Sequence, residues 1–415
     1  MIYKLRIELP ICTNPYNDFM IPRLAASTLL RLAKGFPILA ITGPRQTGKT
    51  TLARATFPEK PYLSLEDPDI RALAAEDPRG LLSRYPTGAI LDEVQRVPEL
   101  LSYLQTQVDA NPQPGAFVLT GSQQLDLSSA LTQSLAGRVG LVNLLPFAIG
   151  ELQSAGRSLG DLDSLLWRGL YPPLHDRDLA PGDWHAAYVS TFVERDLRQI
   201  LAVRDLSAFQ RFVRMCAARI GQLLNLSSLA TDCGINHHTA GAWLSVLEAS
   251  HLVFLLRPHH RNFNKRLVKT PKLYFNDPGL AAWLLGIRDA AQMAFHPSRG
   301  ALFENLVFLE CLKDRLHRGL PADLHFWRDS AGLEVDLLRE QEGQLQPIEI
   351  KSGQTLASDF FDGLRRWLLL SGDATTTPWL VYGGDTALRR ATTEVIPWRE
   401  LPNRLQAPPE DQTLR

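Results

Sequence analysis

The segment GPRQTGKT at residues 43–50 constrains this chain more than any other. It follows a short apolar run, Phe36 to Thr42, suited to a strand buried on both faces, and it leads into Lys49 to Ala55, which can open a helix. In that setting Gly43 and Gly48 let the backbone curl, so that successive N–H groups face phosphate oxygens at the positive end of the helix. Nucleotide contacts are expected from Gly43, Pro44, Arg45, Gln46, Thr47, Gly48, Lys49, Thr50 and Thr51. Lys49 can reach the β and γ phosphates, and Thr50 can place its hydroxyl on Mg²⁺. The expected ligands are ATP and Mg²⁺.

A second apolar run ends in acids, Gly88-Ala89-Ile90-Leu91-Asp92-Glu93. Asp92 is expected to hold Mg²⁺ through water, and Glu93 to polarise the attacking water. A third run, Ala116 to Leu119, enters Thr120-Gly121-Ser122, where Thr120 or Ser122 can sense the γ phosphate; a serine capping the next helix is the alternative. Strands alternating with helical stretches predict an α/β fold with a parallel sheet and its ligand at the strand carboxyl ends. Arg138, just before the run Val139 to Leu145, is a candidate arginine finger toward a neighbouring subunit, with a solvated arginine as the alternative.

At 415 residues the chain is long enough for two to four domains. Its formal net charge of zero argues against a nucleic-acid binder working by overall basicity, while leaving room for a local basic patch. Cys12, Cys216, Cys233 and Cys311 have no metal-ligand spacing and read as free thiols of a reducing compartment. Neither a signal peptide nor an uncharged membrane-length run is found, so a cytoplasmic protein without a membrane partner is expected.

The middle of the chain reads as a winged helix. Leu226 to Cys233 forms a short helix, Gly234-Ile235-Asn236 a tight turn with Asn236 as N-cap, and His237 to Ala249 a second helix with Ala240, Trp243, Leu244 and Leu247 on its buried side. His238 is left among the positions facing out. A strand from Leu252 to Leu256 precedes a stretch holding Arg257, Arg261, Lys265, Arg266, Lys269 and Lys272 without an acid, which reads as a basic wing contacting DNA phosphates. The second helix lacks arginine and lysine, so backbone binding is expected rather than base reading. Packing or protein interaction is the alternative.

The last third gathers Glu304 on an amphipathic helix, Asp336 in the strand around Glu334-Val335-Asp336, and Glu349 and Lys351 on one face of Pro347 to Lys351. Two carboxylates and a lysine can hold a divalent metal and stabilise charge at a scissile phosphate. The order Asp336, then Glu349-x-Lys351, with Glu304 on the preceding helix, resembles the PD-(D/E)xK nuclease family, although Val335 stands where that motif has proline. The alternative is a half-exposed hairpin with charges on its outer face.

The strings GPRQTGKTTL, LEDPDIRALAAEDP, ILDEVQRVPELL, FVLTGSQQ and SLAGRV, continuing through RGLYPPL, YVSTFVERDL, GALFENLVFLE and HFWRDSAGLEVDLL to PIEIKSG, resemble AAA+ ATPases fused to a domain of uncharacterised function, DUF4143. The resemblance spans roughly residues 20–355 and implies the AAA+ fold, a ring (most often a hexamer), Arg138 as the finger, and Arg195 as a contact from a helical lid. Taken together, these readings divide the chain into an expected ATPase core over residues 1–160, a helical lid or linker over 161–205, a winged-helix-like domain over 206–275, a nuclease-like domain over 276–400 and a flexible tail over 401–415. An ATP-driven ring motor on DNA leads; an ATP-gated switch or defence protein with a protein partner, and an ATP-dependent nuclease, are the alternatives.

Overall fold

The computed structural model describes residues 20–121, 135–191, 205–259, 268–341, 343–372 and 376–406. Its first layer is a five-stranded sheet of β1 (Ile38–Thr42), β2 (Tyr62–Ser64), β3 (Ile90–Asp92), β4 (Phe117–Gly121) and β5 (Val139–Asn143), in the order β2-β3-β4-β1-β5. Every pair is parallel. All five residues of β1 are buried, as a central strand covered on both faces requires. One apolar layer sets Leu39 and Ile41 against Leu52, Ala53 and the helix Ala25–Leu32; the other sets Ile38 and Ala40 against Leu101, Leu104 and Leu119. Inserting β4 between β1 and β3 brings the ends of three strands together beside the glycine loop.

Helices dominate the next region: Leu162–Arg168, Pro173–Asp176, Pro181–Tyr188, Leu206–Ala217, Leu226–Cys233 and His237–Ala249. Asn225 and Asn236 cap the last two, accepting from Ser228 N–H at 2.9 Å and Thr239 N–H at 2.8 Å. Gly234 leaves the first of the pair at φ 69°, a turn glycine tolerates best. Trp243 packs edge-on against Phe209 and Phe212, joining the pair to the helix Leu206–Ala217. An antiparallel hairpin follows, β6 (Val253–Leu256) with β7 (Lys272–Phe275). Helices Pro278–Leu284 and Ala290–Phe295 then return to pack on Leu162–Arg168. The expected boundary at residue 276 therefore falls inside this packed unit, because the apolar faces of these helices are covered by residues 162–168.

The helix Arg299–His317 opens the last unit, and it is longer and more buried than the amphipathic stretch expected around Glu304. It lies on a six-stranded mixed sheet of β8 (Leu324–Arg328), β9 (Glu334–Gln341), β10 (Gln344–Lys351), β11 (Trp379–Tyr382), β12 (Leu388–Arg390) and β13 (Thr393–Pro397), ordered β12-β13-β11-β10-β9-β8. The helix Asp362–Ser371 packs beside β9 and β10, where Trp367 meets Trp327 edge-on. Residues 401–406 are not the expected loose tail. Leu401–Gln406 is a helix whose Leu401, Pro402 and Leu405 are buried against Ile149–Ser154 and Arg299–His317, apolar groups four apart forming one face. Residues 407–415 lie outside the described residues.

Candidate functional site

The loop leaves β1 and closes on itself. A Cβ on Gly43 would lie 2.1 Å from the Leu144 carbonyl oxygen, so only glycine lets the loop start pass beneath β5. Gly48, at φ 87°, starts the helix Lys49–Thr56. Lys49 is 5% exposed, and its ammonium donates to the Gly43 and Pro44 carbonyls at 3.1 and 2.8 Å, across the mouth of the loop. Burial pulls the Lys49 ammonium down to about 8, against the opposing charges of Glu93 and Asp92.

Asp92 collects hydroxyls from three elements. Its Oδ1 accepts from Thr50 Oγ1 at 2.7 Å and from Thr120 Oγ1, and its Oδ2 accepts from Tyr62 OH at 2.8 Å. Burial and the Asp92 charge raise the Tyr62 phenol, so it stays a donor. The Thr50 hydroxyl and the Asp92 carboxylate converge as an Mg²⁺ site at a γ phosphate requires, one hydroxyl and one hard anion beside the loop. Bound there, the ion would neutralise charge on the β and γ phosphates. Glu93, at φ 57°, turns out of β3 into the cavity wall; its N–H donates to Thr120 Oγ1 at 3.2 Å and its carboxylate accepts from Gln95 Nε2. Thr120 thus touches both acids. Ser122 lies outside the described residues.

Support for the loop comes from residues the sequence reading did not single out. Arg23, ahead of the first helix, donates to the Thr47 carbonyl at 2.7 Å, the Leu145 carbonyl at 2.7 Å and the Glu151 carboxylate at 3.1 Å. Burial alone would raise Glu151, but Arg23 and the N–H groups of Ala148 and Leu24 hold it below the ordinary carboxylate range. Trp184, from the helix Pro181–Tyr188, donates to Gln46 Oε1 at 3.0 Å, so the helical region touches the loop itself. A cavity of about 720 Å³ opens between these parts, walled by Arg23, Lys49, Thr50 and Glu93 on one side and by Pro172 and Asp176 on the other. That is room for a nucleoside triphosphate. No motif in the sequence marks Arg23, since its partners lie up to 128 positions away.

A pH dependence follows from Lys49. A triphosphate would pair with the charged ammonium, and burial would discharge that ammonium in the free chain above about pH 8. Affinity for ATP is expected to be flat up to about pH 8 and then to fall about tenfold per unit. A fluorescent-nucleotide titration from pH 7 to 9.5 checks it; a flat profile across pH 8 would refute it.

Arg138 sits at the amino ends of β1 and β5, opposite the end of the sheet that carries the loop. Its carbonyl accepts from Ile38 N–H at the start of β1, and its guanidinium grips Asp109 at 2.5 and 2.9 Å. It is not gathered with the loop of its own chain. Arg195 lies outside the described residues.

The other expected contacts separate. His238, Arg257 and Lys269 are exposed, and Arg261, Lys265 and Arg266 lie outside the described residues. Lys272 does not face solvent as a wing residue should. It is 2% exposed and paired with Glu304 at 2.8 Å and with Glu334, because β7 runs under the helix Arg299–His317. The four residues of the nuclease-like reading do come together. Asp336 Oδ2 accepts from Ile350 N–H at 2.8 Å where β9 and β10 part, Lys351 meets Glu349 at 2.5 Å and Asp336 at 3.9 Å, and Glu304 accepts from Tyr274 OH at 2.6 Å. Burial, then the charge of Asp336, raises both Glu304 and Glu349.

Residues 35–153 match the AAA domain model, residues 159–291 a domain of unknown function, DUF8612, and residues 299–401 a domain of unknown function, DUF4143. Uncharacterised proteins of Mycobacterium bovis and Mycobacterium tuberculosis are each 34% identical over 338 residues, 80% of this chain and 74% of theirs. Among solved structures, the Walker-type ATPase of Pyrococcus abyssi matches at 16% identity and a TM-score of 0.43 over 66% of this chain and 99% of its own. AMPPCP-bound DnaA of Aquifex aeolicus matches at 16% identity and a TM-score of 0.28, over 54% of this chain and 86% of its own. RuvB of Thermotoga maritima matches at 18% identity and a TM-score of 0.29, over 56% and 88%. No described helix is long and apolar enough to cross a membrane.

Proposed function

Because the chain belongs to the family of AAA ATPases that carry a C-terminal DUF4143 domain, we propose that it is an Mg²⁺-dependent ATP hydrolase that works as a cytoplasmic ring, most simply a hexamer, and grips and moves or remodels DNA. The observation that carries the hydrolytic reading is Asp92, shared between Thr50 and Thr120, with Glu93 beside it at the cavity wall. In this reading Gly43 to Thr51 hold the phosphates, Lys49 pairs with the β and γ oxygens, and Thr50 and Asp92 hold the metal. Glu93 orients and polarises water, released from Gln95 as substrate enters.

Arg138 supports the ring. Lying at the amino ends of the strands, away from its own chain's loop, it would act on a neighbour's nucleotide, exchanging Asp109 for a γ phosphate. DNA contact is assigned to the exposed His238, Arg257 and Lys269, with Arg261, Lys265 and Arg266 between them in the chain, and without Lys272. A second reading, an ATP-gated switch for a protein partner, draws support from the Trp184–Gln46 bond, through which the loop's state would reach the helical region.

Turnover measurements separate them. For a motor, ATP turnover per chain should rise with protein concentration as rings assemble and rise severalfold again with duplex or branched DNA. Arg138→Ala should lower it about a hundredfold with nucleotide affinity retained. Turnover indifferent to DNA at low salt would remove the motor reading and favour the switch.

A further inference from the structure

The carboxylates gathered by the helix Arg299–His317, β9 and β10 enclose a lysine from another part of the chain. Lys272, on β7, places its ammonium on Glu304 Oε1 at 2.8 Å and on Glu334 Oε1. Its ammonium nitrogen lies over the Phe326 ring, 5.5 Å from the centroid, and its backbone is held by β6 and by a bridge to Leu223. Burial works against a charged lysine here, but Glu304, Asp336 and Glu334 outweigh it, and the ammonium is held above its ordinary range.

A divalent metal does not fit the site as it is folded. Glu304 Oε1 already accepts from Lys272 and from Tyr274 OH, Asp336 Oδ2 from Ile350 N–H, and Glu349 Oε1 from Lys351. Among the described residues no three His, Cys, Asp or Glu side chains converge as a ligand set. Glu304 Oε1, Asp336 Oδ2 and Glu349 Oε1 are thus engaged by protein donors, while Glu349 Oε2 is buried without a hydrogen-bond partner among the described residues, and the positive charge that a metal would bring is present on Lys272. Buried carboxylates persist only when something cationic or hydrogen-bonding compensates them, and an ammonium with three donors serves more than one at a time.

We infer that Lys272 is the resident cation of the C-terminal carboxylate site: its ammonium, paired with Glu304 and Glu334, supplies the positive charge that a nuclease-like site would take from a divalent metal, so the docked β6–β7 hairpin and a bound metal exclude each other. The site in this form joins the helical region to the mixed sheet and does not cut phosphodiesters. The inference rests on the nuclease-like reading of the last domain and is independent of the ATPase and DNA readings.

Mn²⁺ titration of the full-length chain without nucleotide, read by electron paramagnetic resonance, tests it. The parent chain is expected to bind no ion through Asp336, its isotherm matching that of Asp336→Asn. Lys272→Met is expected to gain one Mn²⁺ per chain and to lose it when Asp336→Asn is added. Lys272→Met with Glu334→Gln, which removes one of the orphaned carboxylates, carries the same expectation should the single variant fail to fold. Mn²⁺ held by the parent and lost in Asp336→Asn would show a nuclease-like metal site and overturn the role of Lys272. A folded Lys272 variant that binds none would overturn the nuclease-like reading together with the inference.

Discussion

Glu93→Gln is expected to lower ATP turnover by about a hundredfold or more while ATP affinity stays within about threefold of the parent. Glutamine has the shape of glutamate and can keep the left-handed turn at φ 57°, so the loop, Thr50 and Asp92 stay in place. What is lost is the carboxylate that would take a proton from, or polarise, the attacking water. The contrast between kcat and affinity is the signature: in the proposed mechanism Lys49 and the loop amides would bind the ground state, whereas Glu93 would act only as the γ phosphate departs. Steady-state turnover and a nucleotide titration on the same preparation check it. Turnover reduced by less than tenfold would transfer the role to another group, Gln95 or Thr120 being nearest.

The largest effect on stability is expected where the ATPase sheet meets the last domain. Lys313 is fully buried and donates to the Phe147 carbonyl at 2.7 Å and to Glu310 Oε1 at 3.0 Å, while Glu310 Oε2 accepts from Ile149 N–H at 2.9 Å. Burial raises the Glu310 carboxyl, with Lys313 as the main compensation. Lys313→Ala strands that carboxylate and a backbone carbonyl together, and should cost about 3–5 kcal/mol of unfolding free energy. Arg365→Ala, which removes the exposed partner of exposed Asp362, should cost about 1 kcal/mol or less and serves as the comparison. Urea unfolding of both variants distinguishes them; equal losses would mean that the Lys313 pair contributes no more than a surface one.

The same helix shows why some residues were legible and others were not. Turn glycines, N-caps and short-range periodicity act over a few residues, so the loop at 43–50, the helix at Leu226–Cys233 and the Asn236 cap could be read directly. Alternation along one strand likewise put Glu349 and Lys351 on one face, and the structure brings them within 2.5 Å. Lys272 reads differently by spacing and by fold. It ends a basic stretch without acids, which implies a solvated wing, yet its partners Glu304 and Glu334 arrive from a helix and a strand that follow in the chain. Arg23 carried no signal at all, since Glu151, Thr47 and Leu145 surround it only once β1 and β5 are paired.

Local chemistry by itself determined the phosphate loop, its strand and helix, the acidic end of β3 and the helix-turn-helix, because each depends on backbone conformations and spacings contained within a dozen residues. Tertiary structure alone decided which charges meet: Thr120 on Asp92, Arg23 beneath the loop, Arg138 away from it, and Lys272 among the carboxylates. A charge in sequence has only a sign. Its partner, its burial and therefore its role depend on long-range packing, where desolvation makes an unpaired charge too costly to keep.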